Sequence, residues 1–483
     1  MSLHVLAIDE GSTGVRALVF DQQSRLVGST YSEISASFPQ RGWVEQDPAH
    51  IWDTTRAVIG EALGRARLAP SSVQAIGIAN QRATALVWAR GTGVPVYPAI
   101  SWQDVRTAAR VTELLEQGVF TNAMASATKL EWILGHVPDG LARAERGELC
   151  FGTIDTWLAW QLSAGRLHVT DHSNASCTGL YDFIGGTWDD RIVGHLHLPS
   201  RLLASIGGSS EEYGRTDAAV FGAAVPIGGF AGDQQAAMFG QLGTERGSVK
   251  VTFGTSAMVD INVGEYPVLS QRGAYPLILW ALDGQRTCCL EGSVITAGAT
   301  IQWLRDGLGL ITTPDETAAL ATSVRDTGGV WVIPALQGLG TPHMDPAGRA
   351  VIGGLSRGST RAHVVRAVLE GIAFRTREVL ETLLEDAQTV RPEVLHVDGG
   401  AAANDFLMQS LADVLGQPVE RPETVQATAL GVAYLAGMAA GVWSGLDDVR
   451  HCWRSGGTFA PRWSADERES RYQEWRRHLP ACR

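Results

Sequence analysis

LAIDEGSTGVR, Leu6 to Arg16, is the stretch that decides how the chain is read. The apolar run from His4 to Asp9 reads as a strand ending in a carboxylate, and a Gly/Ser/Thr turn follows it. Val15 to Asp21 and Arg25 to Ser32 read as two returning strands, which makes the N-terminus an antiparallel meander. Gly11 and Gly14 permit unusual backbone angles and close approach by a ligand. Amides and hydroxyls at Ser12 and Thr13 are then free to face phosphate oxygens. Asp9 at the strand end suits a Mg2+ bridged by water, and Arg16 suits steadying an anionic group. Alone, such a hairpin is more simply only a turn. A second copy raises its weight: VKVTFGTSAM, Val249 to Met258, again sets small and hydroxyl residues between two strands.

Working outward from the first turn, Asp47-Pro48 opens a helix, with Asp47 as N-cap and Pro48 in the first helical position. Val73 to Ala79 and Ala85 to Trp88 read as strands. Outward from the second turn, Ser248 to Phe253 and Met258 to Val263 form a hairpin, followed by a strand at Val330 to Pro334. A long helix runs from about Thr360 to Glu385, then a strand at Val394 to Val397 and helices at Asp405 to Leu415 and Ala427 to Ala440. The order predicts an α/β fold made by duplication of a whole domain. The boundary is expected near Gly243 to Gly247, giving halves 1–245 and 246–483. The charged, Trp-rich tail after Gly456 is expected to pack as a helix on the second half.

A chain of 483 residues is long enough for two such domains. The formal net charge of −12 argues against nucleic acid or an anionic membrane as partner, since both need a basic face. Only Lys129 and Lys250 are lysines. The six cysteines form no C-x-x-C pair, no run of eighteen apolar residues occurs, and no leader pattern precedes the first strand. These features predict a cytoplasmic protein with reduced thiols and no membrane span.

Further residues have the form of a site. In GGFAGDQQAAMFGQL, Gly228 to Leu242, an apolar stretch ends at Asp233 and a helix follows. A carboxylate there can take a hydroxyl proton, or simply cap the helix. In VDGGAAANDF, Val397 to Phe406, a strand, a double glycine and a helix offer backbone to a nucleotide, with Asn404 as hydrogen-bond partner or as plain turn residue. Arg82 closes the strand in GIANQRATALVW, and ISWQDVR offers Trp102, Gln103 and Asp104 to a polyhydroxyl ligand. No G-x-x-x-x-G-K-[ST] loop and no zinc spacing is present.

Taken together, these motifs resemble the FGGY carbohydrate kinases, with the glycerol kinases nearest among them. The resemblance runs from about Leu6 to Gly441 and includes RGWVEQDPAHIW, GELCFGTIDTWLAWQL, VTDHSNAS, AGDQQAAMFGQL, AGATIQWLRD and VDGGAAANDFLMQ in order. Met124 to His136 approximates the first family signature, and Ala350 to Glu370 matches the second. The resemblance implies two ribonuclease-H-like, actin-type domains around a catalytic cleft. It implies ATP and Mg2+ as cofactors, a small polyol or sugar as the other substrate, and a homo-oligomer. Asp233 is implied as the base, with Gln234 beside it, and Asp9 as the Mg2+ residue. Ser12, Thr13, Gly14 and Arg16 are implied for phosphate. Thr255, Gly298, Gln302, Gly400 and Asn404 are implied for nucleotide, and Arg82 and Trp102 for the acceptor.

The chain departs from that pattern in one region. Where the glycerol kinases carry Glu after the Arg of N-Q-R, this chain has Ala83; Met124 and Met258 stand where they carry aromatic residues. Loss of one charged hydrogen-bond partner costs about 1.5–3 kcal/mol of binding. The expected activity is therefore ATP-dependent phosphorylation of a hydroxyl, with glycerol or a larger polyol or ketose as acceptor. The competing classes are an inactive relative and an actin-like scaffold ATPase.

Overall fold

Two sheets with one strand order organise the chain in a computed structural model that describes residues 3–423 and 426–482. In the first sheet, Leu26–Glu33, Gly14–Asp21 and His4–Gly11 form the antiparallel meander expected from sequence. His4–Gly11 then runs parallel to Val73–Asn80, which runs parallel to Pro226–Gly232, and Ser210–Arg215 closes the edge antiparallel. The second sheet repeats the pattern. Gln285–Val294, Ala257–Gly264 and Val249–Phe253 are antiparallel. Leu395–Asp398 and Val419–Pro422 follow in parallel, and Ser455–Phe459 closes antiparallel. A seventh strand, Tyr275–Leu282, pairs beside Gln285–Val294. The duplication inferred from two short turns therefore extends to six strands a side.

The contacts define two discontinuous units. One comprises Met1–Gly240, Leu277–Thr287 and Thr428–Cys452, the other Gln241–Pro276, Cys288–Ala427 and Trp453–Arg483. Leu277–Thr287 and Thr428–Cys452 thus group with the first unit although they follow it in sequence. Two expected strands also lie outside the main sheets. Leu86–Ala89 pairs with Leu149–Gly152 in a two-stranded sheet, and Trp331–Ile333 pairs with Val351–Gly353 in another.

Local chemistry accounts for the elements that frame the site. Asp47 accepts a hydrogen bond from the Ala49 amide at 2.9 Å and starts the helix Pro48–Ala66. Val5, Leu6, Ala7 and Ile8 are all fully buried, because the strand is covered on both faces as parallel strands are. Burying one such Leu or Ile contributes about 1.5–3 kcal/mol. In the second unit, the 26-residue helix Arg361–Asp386 forms the central buried element. The tail helix Ala465–Arg476 packs in the same unit, where the Trp475 indole donates to the Val332 carbonyl at 2.9 Å.

Candidate active site

In the first unit, three parallel strands bring their carboxyl ends to one edge of the sheet. Asp9 pairs in register with Ala79, and Asn80 pairs with Gly232, the residue before Asp233. Ligands of open α/β sheets bind at this end. Asp233 begins the helix Asp233–Gly240, and its Oδ1 lies 3.1 Å from Arg82 Nε and accepts the Gln234 amide at 2.8 Å. Asp9 lies opposite Arg16 across the hairpin, with Oδ2 3.5 Å from Arg16 Nη1. Burial pushes the Asp9 carboxyl up to about 6; Arg16 opposes that shift and the charge of Asp233 adds to it. The proposed base and metal residue thus lie within one electrostatic neighbourhood, each with a cation beside it.

The hairpin turn corrects one expectation. Neither Gly11 nor Gly14 has a positive φ. Gly14 is needed for space instead: a Cβ there would lie 2.5 Å from the Tyr31 ring, which packs across the turn.

Among the residues expected for the acceptor, the Trp102 indole donates to Ser12 Oγ at 2.8 Å. Buried Lys129 donates to the carbonyls of Trp102 at 3.2 Å and Met124 at 2.9 Å. Its amine is pushed down to about 7 by burial, with the charge of Asp104 working the other way. Ala83 is buried in the left-handed region at φ 59°, and its carbonyl accepts from the Ser126 hydroxyl at 3.0 Å. Met124 is exposed. Asp104 is not available to a ligand as its motif suggested. It pairs with Arg106 at 2.7 Å and accepts the Val44 amide at 2.6 Å. Arg106 also pairs with Glu45 at 2.8 Å and lies over the rings of Trp43 and Trp132.

Several positioning residues were missed in the sequence. Glu10, one residue past Asp9, is fully buried and accepts from the Gln81 amide nitrogen at 3.1 and 3.2 Å. Burial holds its carboxyl well above the usual range; the Gln81 bond opposes the shift, and Asp9 and Asp233 add to it. Behind Asp233, the Ser173 hydroxyl accepts the Gly232 amide at 2.9 Å and donates to Asp171 at 2.9 Å. In the sequence, VTDHSNAS, which holds Asp171 and Ser173, stands out only as a segment resembling the family.

In the second unit, the turn after Val249–Phe253 meets the start of the helix Gly298–Asp306. Thr255 O accepts the amides of Ala297 at 3.1 Å and Ala299 at 3.0 Å, and Gly254 O accepts that of Gly298 at 3.1 Å. A Cβ on Gly298 would lie 2.3 Å from Gly254 O, so only glycine permits this approach. Gln302 is exposed on the same helix. Gly400 is exposed at the start of the turn Gly400–Ala403, next to Gly399 at φ 86°. Asn404 caps the helix Asp405–Leu415 by accepting the Leu407 amide at 3.0 Å, and donates to Thr317 Oγ1 at 2.8 Å. Met258 is partly buried on Ala257–Gly264, opposite Thr252.

Comparison with known proteins fits these geometries. Residues 4–240 match the N-terminal domain of the FGGY family of carbohydrate kinases, and residues 249–440 match its C-terminal domain. The chain belongs to the FGGY family of carbohydrate kinases, phosphotransferases that act on an alcohol. It is 45% identical to a glycerol kinase of Petrotoga mobilis, covering 100% of this chain and 99% of that protein. It is likewise 45% identical to glycerol kinase 2 of Thermotoga maritima, covering 98% of this chain and 97% of that one. The fold matches the crystal structure of Plasmodium falciparum glycerol kinase with ADP. The TM-score is 0.93 at 30% identity, over 100% of this chain and 98% of that one. A xylulose kinase from Rhodospirillum rubrum, at 23% identity and TM-score 0.85 over 99% and 98% of the two chains, shares the fold.

Proposed function

We propose that this kinase transfers the γ-phosphoryl group of ATP to a terminal hydroxyl of glycerol. The observation that carries the reading is the Asp233 carboxylate at a strand–helix junction, 3.1 Å from Arg82 and coupled to Asp9, in a chain 45% identical to glycerol kinases. Arg82 orients Asp233, and Asp233 accepts the proton of the attacking hydroxyl. The oxygen–phosphorus bond forms as the bond from Pγ to the bridging oxygen breaks, and ADP leaves with that electron pair. Ser12, Thr13, Gly14 and Arg16 hold phosphate oxygens. Thr255, Gly298, Gln302, Gly400 and Asn404 hold the nucleotide. Trp102, Gln234, Ala83 and Met124 line the acceptor.

Mg2+ fits this donor set. It keeps most of its waters and takes one or two carboxylates plus substrate phosphates. Among the described residues no cluster of three or more acidic, His or Cys side chains is built to cage a metal. Asp9, largely buried with its carboxyl destabilised, is the residue that would hold the ion through water. When bound, the ion neutralises charge on the transferring phosphoryl group.

A larger polyol or ketose is the second reading, because the buried Ala83 methyl presents no carboxylate to a triol. The family resemblance extends the proposal to a homo-oligomer, checked by light scattering. A cytoplasmic setting accords with six cysteines of which none is in a disulfide. Asp233→Asn tests the assignment: kcat should fall about 10²–10⁴-fold with ADP affinity retained. Full acceptor-dependent ADP release by that variant would refute it.

A further inference from the structure

The first unit contains a closed circuit of hydrogen bonds that joins the phosphate turn to the acceptor wall. The Trp102 indole N–H donates to Ser12 Oγ at 2.8 Å, and the Trp102 amide donates to Thr84 Oγ1 at 3.3 Å. The Thr84 hydroxyl donates to Gln81 Oε1 at 3.1 Å. Gln81 Nε2 donates to Gln46 Oε1 at 2.9 Å, and Gln46 Nε2 donates to the Ser12 carbonyl at 3.0 Å. Gln81, Thr84 and Gln46 are buried, and Gln81 is anchored further by Glu10. Both branches start from donors of Trp102 and end on acceptors of Ser12.

That direction has a consequence for Ser12. An indole N–H donates only, whereas a hydroxyl has one proton to give and two lone pairs to accept with. The Trp102 contact therefore occupies a Ser12 lone pair and turns the hydroxyl proton away from the indole. Ser12 is partly exposed at the tip of the turn, so this proton is available to an outside acceptor. We propose that Trp102 is a positioning residue for phosphate: through its indole N–H it aims the Ser12 hydroxyl at a phosphate oxygen of ATP. This rests on the reading that Ser12 faces phosphate and Trp102 faces the acceptor. It makes the two sites communicate, since movement of the indole when the acceptor binds also moves the donor that orders the phosphate turn.

The test is a double-mutant cycle on the full-length protein, with kcat and both KM values measured using ATP and glycerol. Trp102→Phe keeps an aromatic wall and removes the donor; Ser12→Ala removes the hydroxyl; Ser12→Thr restores one. Trp102→Phe should lower kcat/KM for ATP about twofold to tenfold, with a smaller change in KM for glycerol. Ser12→Ala should do the same, Ser12→Thr should recover most of it, and the double variant should be no worse than Ser12→Ala alone. A pocket that was merely loosened would instead raise KM for glycerol and spare ATP. Trp102→Phe with unchanged kcat/KM for ATP, or two substitutions whose effects multiply in full, would overturn the coupling alone. A Ser12→Ala variant indistinguishable from the parent would overturn the phosphate assignment and the coupling with it.

Discussion

The two hairpins that reveal the duplication use charge in opposite ways. In the first unit, Asp9 and Arg16 face each other at the turn, with Arg16 exposed and a second acid–cation pair, Arg82–Asp233, beside them. In the second, the turn is Gly254, Thr255 and Ser256, and its charges are withdrawn into the sheet. Lys250 is fully buried and pairs with Asp260 at 2.9 Å, and its amine is pulled down by burial but pushed up more by Asp260 and Asp398. One copy of the hairpin keeps charge at its turn, and the other withdraws it into the sheet and leaves amides and hydroxyls at the turn. Under the proposed function, the first would be the chemical end and the second the binding end.

If that division is right, removing charge from the two hairpins has different effects. Lys250→Met should destabilise the fold by about 3–5 kcal/mol by leaving Asp260 and Asp398 buried without their cation, read as a lowered urea midpoint. A change below 1 kcal/mol would break the comparison. Asp9→Asn should act in the other sense. Burial pushes the Asp9 carboxyl from an ordinary 3.8 up to about 6, so its ionisation costs stability as pH rises from 3.8 through about 6, and the full cost is present above that. The variant should gain stability at pH 8, by up to about 3 kcal/mol, while losing Mg2+-dependent turnover. A loss of stability together with full turnover would contradict both assignments.

Smaller effects sharpen the picture of the acceptor wall and the buried acids. Ala83→Glu supplies a carboxylate beside Arg82 and should raise kcat/KM for glycerol by about tenfold or more if it recovers a charged hydrogen bond. No gain would remove Ala83 as the reason for altered selectivity. Asp155, bonded to the hydroxyls of Thr153 and Thr170, is pushed up to about 7 by burial, with those bonds opposing and Asp171 adding. Between pH 3.8 and about 7 the folded chain holds this proton and the unfolded chain does not. Stability should therefore fall as pH rises through that window and level off above it. Asp155→Asn should flatten the profile, and an unaltered slope would assign it to other groups.

Much of the fold was legible because its signals are local. Strand runs, the Asp47-Pro48 cap, the polar turns and the Asp233 strand–helix junction each occupy a few adjacent residues. What the sequence hid was partnership at a distance. Ser12 and Trp102 are 90 residues apart, and no pattern announces their bond. Asp104 has the look of a ligand residue until Arg106, Glu45 and two Trp rings assemble around it. The side chain of Asn404 caps a helix and reaches Thr317, 87 residues away, a partnership that its turn motif does not announce. Grouping at a distance is equally silent: Thr428–Cys452 lies between two strands of the second sheet in sequence but groups with the first unit.

Phosphoryl transfer to a small polyol, proposed for the charged end of the first sheet, is tested most directly by ADP release measured with no acceptor, with glycerol, and with C4 to C6 polyols and ketoses. The expected result is negligible release without acceptor and the highest kcat/KM with glycerol. Undiminished ATP turnover with no acceptor, or no response to any member of the series, would contradict it.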